Sequence, residues 1–108
     1  MRSNELDACL RVIADGCRRR MIQQLRREAD GTMSFEDLVG GLQSASDDDR
    51  RRNPEQIAID LEHTHLPKLA NHGVVEYDRR SGAVRYRPDE HIEAILDALP
   101  EEVLQTSL

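Results

Sequence analysis

The stretch from His65 to Tyr86, HLPKLANHGVVEYDRRSGAVRY, changes its hydrophobic period halfway, and this change limits the possible folds more than any other feature. Upstream of Gly73, Ile57, Leu61, His65 or Leu66, and Leu69 recur at helical spacing. Pro54 suits the first turn of that helix, with Asn53 as its cap, so a long helix is expected over about 54–72. Pro67 lies inside it and predicts a bend there. Gly73 is the expected stop. Beyond it, residues 74–78 and 83–87 read as two strands around the turn Arg79-Arg80-Ser81-Gly82. Their tyrosines, Tyr77 and Tyr86, alternate with charged neighbours, as a half-buried hairpin requires.

The flanking segments read as helices. Asn4 is a good N-cap for a first helix over about 4–14, with Leu6, Cys9, Leu10 and Ile13 on one face. Asp15-Gly16 breaks that pattern, and Asp15 can cap a second helix over about 16–28. Thr32-Met33 can form a very short strand. Ser34-Phe35-Glu36-Asp37 fits a capping box with Asp in place of Glu, opening a third helix over about 35–42. Gly40-Gly41 weakens this helix by about 1 kcal/mol per glycine. Residues 43–53, QSASDDDRRRN, have no apolar period and read as a polar linker. A last helix over about 89–99 carries Ile92, Ile95, Leu96 and Leu99 on one face. The order is helix, helix, short strand, helix, helix, hairpin, helix. It describes one α+β domain over residues 1–108, mostly α.

Charge adds a second constraint. The 108 residues hold 21 acids and 15 bases, and all the bases but Lys68 are arginine. A GC-rich genome explains arginine over lysine, but the acidic excess needs its own cause and points to a halophilic host with a salt-rich cytoplasm. Residues 30–49 and 89–108 hold acids and no base, whereas residues 1–29 and 76–88 are net positive. Two cysteines, Cys9 and Cys17, are too few for a disulfide framework and are expected as small buried hydrophobes. No signal-peptide pattern and no apolar run of about 20 residues is present, so a cytoplasmic location is expected.

The element order and the 65–86 stretch resemble winged-helix regulators of the arsenic-repressor (ArsR) type. They are especially similar to small archaeal, haloarchaeal winged-helix proteins known as domains of unknown function. His65, Leu66 and Leu69 match the His-Leu-x-x-Leu pattern of the recognition helix, and Gly73 to Tyr77 match the turn into the wing. The resemblance spans roughly residues 5–99 and implies a winged helix-turn-helix with flanking N- and C-terminal helices. It also implies a DNA-binding transcription regulator acting as a homodimer through its first and last helices. Leu6, Leu10, Ile92, Ile95, Leu96 and Leu99 are the interface candidates. An apolar stripe on a lone helix after a hairpin also needs cover.

The residues expected to touch double-stranded DNA are His63, Thr64 and Lys68 on the long helix, Arg79, Arg80, Arg85 and Arg87 on the hairpin, and Arg50, Arg51 and Arg52 before the helix. Arginine pairs with phosphate and enters narrow minor grooves. The groove-facing stretch AIDLEHT carries Asp60 and Glu62, which repel phosphates. That acidity favours an alternative, a winged-helix protein–protein interaction module without specific DNA binding. Arg18-Arg19-Arg20 opposes the dipole of the second helix and reads as a solvated surface.

No metal site or other cofactor is expected. The resemblance suggests two kinds of metal-sensing motif: a Cys-x-Cys on the recognition helix is absent, and Asp89-Glu90-His91 supplies only half of the other. His63 and His65 point to different helix faces, and His65 is expected to bond to backbone. No catalytic constellation or phosphate loop stands out, so the chain is not expected to be an enzyme.

Overall fold

The computed structural model describes residues 3–45 and 51–100. Helix α1 (Ser3–Ile13) turns into α2 (Gly16–Arg26), and strand β1 (Thr32–Ser34) leads into α3 (Phe35–Ala45). A continuous helical run follows, made of α4 (Pro54–Asp60), a π turn (Leu61–His65) and α5 (Leu66–Asn71). Strands β2 (Val75–Asp78) and β3 (Ala83–Tyr86) precede α6 (Glu90–Ala98). The fold is α+β and mostly helical, with one antiparallel sheet in the order β1-β3-β2. In its register Arg85 of β3 sits between Thr32 of β1 and Glu76 of β2.

Local capping explains where the helices begin. Asp15 Oδ1 accepts from the amides of Cys17 (2.8 Å) and Arg18 (3.2 Å), satisfying orphan donors of α2. Ser34 Oγ accepts from the Asp37 amide at 3.0 Å, Asn53 accepts from Glu55 at 2.8 Å, and Asp89 accepts from His91 and Ile92. Gly73, at φ +73°, takes the left-handed conformation that turns the chain from α5 towards β2.

Helix α3 runs to Ala45, past the expected end near residue 42. Leu38, Val39 and Leu42 are buried in the core, and that burial outweighs the low helix propensity of the glycine pair. A Cβ on Gly41 would meet only the end of the flexible Gln24 side chain, 2.8 Å from its Oε1. Residues 46–50, which include Arg50 and part of the expected linker, lie outside the described residues, as does the segment 101–108.

The bend expected at Pro67 takes the form of a π turn just upstream. The Leu66 amide reaches the Leu61 carbonyl, five residues back. Proline lacks the N–H that would continue the normal pattern, and its ring crowds the carbonyl four residues earlier. One widened turn accommodates both effects and re-aims the side chains that follow.

The core is aliphatic. Met21, Ile22 and Leu25 of α2 meet Leu38 and Leu42 of α3, Leu61 of the π turn and Leu69 of α5. Val84 and Tyr86 bring β3 into the same cluster, while Phe35 and Tyr77 stack at its edge with centroids 5.7 Å apart. Ile92 and Leu96 of α6 are buried in it as well. These two residues are therefore not part of a surface open to a second subunit, because the chain uses them to close its own core. The cysteines are less buried than expected: Cys9 and Cys17 are partly exposed at the core's margin.

The arginine triplet of α2 is not a solvated face. Arg18, Arg19 and Arg20 are only 9%, 3% and 4% exposed. Arg18 Nε donates to the Val12 carbonyl at 2.6 Å and its Nη2 donates to the Arg11 carbonyl at 3.0 Å. Arg19 Nη1 donates to the Ile13 carbonyl at 2.6 Å. The last turn of α1 leaves these carbonyls unpaired, at the negative end of its dipole. Guanidinium forks from α2 satisfy them and fix the α1–α2 corner. Burial lowers the pKa of Arg19, Asp15 raises it and Arg20 lowers it further.

Candidate nucleic-acid interface

The helical run from Pro54 to Asn71 has one buried side and one open side. Ile57, Leu61, Leu66 and Leu69 are buried, while Gln56, Ile59, His63, Thr64 and Lys68 are exposed. The three polar positions read from the sequence, His63, Thr64 and Lys68, thus share a run of exposed residues with Gln56 and Ile59. The last two were not among the expected contacts. Their signal is the spacing Gln56, Ile59, His63, the complement of the buried stripe. Ile59 is 55% exposed, a large apolar side chain left open on this helix.

The acidity of this helix is smaller than its sequence implies. Asp60 is ion-paired with Arg52, which sits just before the Asn53 cap. One of the two carboxylates is therefore neutralised locally, and Arg52 is engaged by the helix. Arg51 is exposed beside it. Glu62 is partly buried.

The hairpin presents its arginines in two settings. Arg79 and Arg80 are exposed in the β2–β3 turn. That turn is held by the Gly82 amide on the Asp78 carbonyl (2.8 Å) and by the Arg80 amide on Asp78 Oδ1 (2.9 Å). Arg85 and Arg87 are exposed at alternate positions on the returning strand and beyond it. Arg87 is ion-paired with Glu76 across the hairpin, so it carries less free charge than the turn arginines.

The strand is anchored beneath these residues. Tyr86 donates to Glu93 of α6 at 2.7 Å, and Arg26 of α2 contacts Glu93 and Asp97 at 2.9 and 2.7 Å. Burial and the Glu93 carboxylate push the Tyr86 phenol well above its usual pKa, so it remains a donor. Helix α6, itself tied to α2, thus holds β3 in place, which positions the turn that follows β2.

On α1, Leu6 and Leu10 are 39% and 44% exposed, one turn apart. Helix α1 packs against α6, where Ile95 and Leu99 are only partly covered. These four residues remain of the expected interface set.

His65 departs from its expected backbone bond. Its Nδ1 lies 3.4 Å from Arg18 Nη1, and the ring is partly buried. Burial lowers the His65 pKa, Asp15 raises it and Arg18 lowers it, with a net downward shift that favours the neutral ring. Burial raises the Asp15 pKa, but the amide bonds and the nearby positive charges outweigh this and bring it below the ordinary value.

The family described as Domain of unknown function (DUF7344) matches residues 10–85, from within α1 to within β3. The chain belongs to this family. The match covers the helical run and the hairpin as far as Arg85, so all of the candidate interface but Arg87 lies inside the DUF7344 domain. No curated protein and no solved structure matches the chain. Among the described residues, no helix is long and apolar enough to cross a membrane.

Proposed function

We propose that this DUF7344 domain is a winged helix-turn-helix that binds double-stranded DNA and regulates transcription as a homodimer. In this reading α3 and the α4–α5 run are the helix pair, and the β2–β3 hairpin is the wing. The observation that carries it is the ion pair between Arg52 and Asp60. It masks one of the two carboxylates that oppose DNA contact, beside an exposed face of Gln56, His63, Thr64 and Lys68. Glutamine can bind adenine through two hydrogen bonds, isoleucine can pack on a thymine methyl, and lysine can hold phosphate. The wing turn adds two exposed cations at the loop tip, Arg79 and Arg80, for phosphate or minor-groove contact.

Salt shapes how such binding works. At molar ionic strength the Debye length is about 3 Å, so long-range attraction vanishes and contacts act at hydrogen-bond range. A net charge of −6 is compatible with binding of that kind. The leucines of α1, with Ile95 and Leu99, supply the apolar patch of a symmetric dimer. The test is retention on duplex DNA of the Arg79→Ala, Arg80→Ala double variant in concentrated KCl. Retention should fall; unchanged retention would rule out the wing contact.

A second reading is a protein-binding module, favoured by the open Ile59 and by the Arg87–Glu76 pair. Ile59→Asp separates the two. It should lower DNA retention in the first reading and leave it untouched in the second.

A further inference from the structure

Asp15, Cys17 and His65 bring a carboxylate oxygen, a thiol sulfur and an imidazole nitrogen within 4.8 Å of one another. Asp15 and Cys17 belong to the start of α2, and His65 ends the π turn, far along the chain. All three are partly buried, and among the described residues they form the one such group. We propose that they are the protein ligands of a single divalent cation of the zinc class, with a fourth position open to water.

The donor set suits that ion. Thiolate and imidazole favour zinc over magnesium or calcium, and three protein ligands with one open position is a recurrent zinc arrangement. Bonds of about 2.0–2.3 Å place tetrahedral donors about 3.5 Å apart. The three atoms therefore need to close by only about 1 Å, within the reach of small side-chain rotations.

Asp15 is already oriented for this role. Its Oδ1 is held by the amides of Cys17 and Arg18, which leaves Oδ2 for the ion. Such outer contacts fix a ligating carboxylate. On binding, the Cys17 thiol releases its proton to solvent, and thiolate plus carboxylate balance the ion's two positive charges. Arg18 opposes the ion, because its Nη1 faces His65 Nδ1 at 3.4 Å. Its other donors stay anchored on the Arg11 and Val12 carbonyls when the ion displaces the long contact to His65. Binding would then staple the π turn to the α1–α2 corner.

The test is a Co(II) titration of the tag-free, reduced full chain, followed by displacement with Zn(II). One equivalent should give tetrahedral ligand-field bands and a sulfur-to-cobalt charge-transfer band. Cys17→Ser should abolish the charge-transfer band, and His65→Ala should weaken uptake about tenfold or more. Cys9→Ser should change neither. Zn(II) should also shield Cys17 from alkylation in the wild-type chain, a readout that requires no variant to fold. A six-coordinate spectrum, no band at saturating cobalt, or a band lost with Cys9→Ser would overturn the site. None of these readouts involves DNA, so they stand apart from the proposed regulator.

Discussion

Arg52 and Asp60 bracket α4, one just before its cap and the other at its last position, and their side chains meet in an ion pair. Both are partly exposed, so the pair adds no more than about 1 kcal/mol to stability. Its larger effect is on the charge of the exposed helix face. Arg52→Ala should uncover the Asp60 carboxylate and weaken DNA binding about tenfold. Adding Asp60→Asn to that variant should restore most of the affinity. Fluorescence anisotropy with a duplex probe checks both. If the double variant stays as weak as Arg52→Ala, Arg52 acts as a direct phosphate contact instead of masking Asp60.

The buried arginines of α2 carry a stability prediction. Arg19→Ala leaves the Ile13 carbonyl without its donor, and an unsatisfied buried group costs about 1–3 kcal/mol. Urea denaturation should show a lower midpoint with an unchanged slope. Arg19→Lys should recover little, because one ammonium replaces a planar fork. A midpoint unmoved by Arg19→Ala would remove the capping role.

Dimerisation is predicted to depend on α1. Leu6→Glu with Leu10→Glu puts two carboxylates on the exposed leucine pair. Light scattering should report a monomer that keeps its helical circular dichroism. A variant that stays dimeric would exclude this face.

Cys9 gives a pH prediction. Burial, then Asp89 and Glu5, raise the pKa of its thiol above the ordinary value. The protonated, unreactive form therefore persists to higher pH in the folded chain. In Cys17→Ser, where Cys9 is the sole cysteine, the alkylation rate should rise only above the pH at which a free thiol ionises. Unfolding in urea should shift the profile down. A folded-state midpoint at or below that of the unfolded chain would contradict this environment.

Local signals in the sequence were good guides to three helix starts, but Asn4, expected as the cap of α1, lies inside that helix, which begins at Ser3. Asp15, Ser34 and Asn53 each cap the helix that follows them, because a side chain two or three residues from an orphan amide needs no tertiary information. The hairpin was legible for a similar reason, since Gly82 and the alternating tyrosines act over a few residues. The roles of Arg18 and Arg19 were not legible, because they depend on the angle at which α2 leaves α1. The π turn was hidden too: Pro67 marks a disturbance but not how the backbone absorbs it. Asp60 looked like an obstacle because its partner, Arg52, lies outside the helix and faces it only once the turn before α4 forms. Asp15, Cys17 and His65 are unremarkable apart, and only packing brings them together.

The most direct measurement is a genome-wide pull-down with the purified full chain, run at the salt concentration of the host cytoplasm. The account predicts a discrete set of enriched sites, each with two related half-sites about 10 bp apart, matching two reading heads on successive major grooves. It also predicts that these sites vanish with the Arg79→Ala, Arg80→Ala variant. Recovery of no enriched site, from protein that is folded and dimeric, would contradict the DNA-binding regulator.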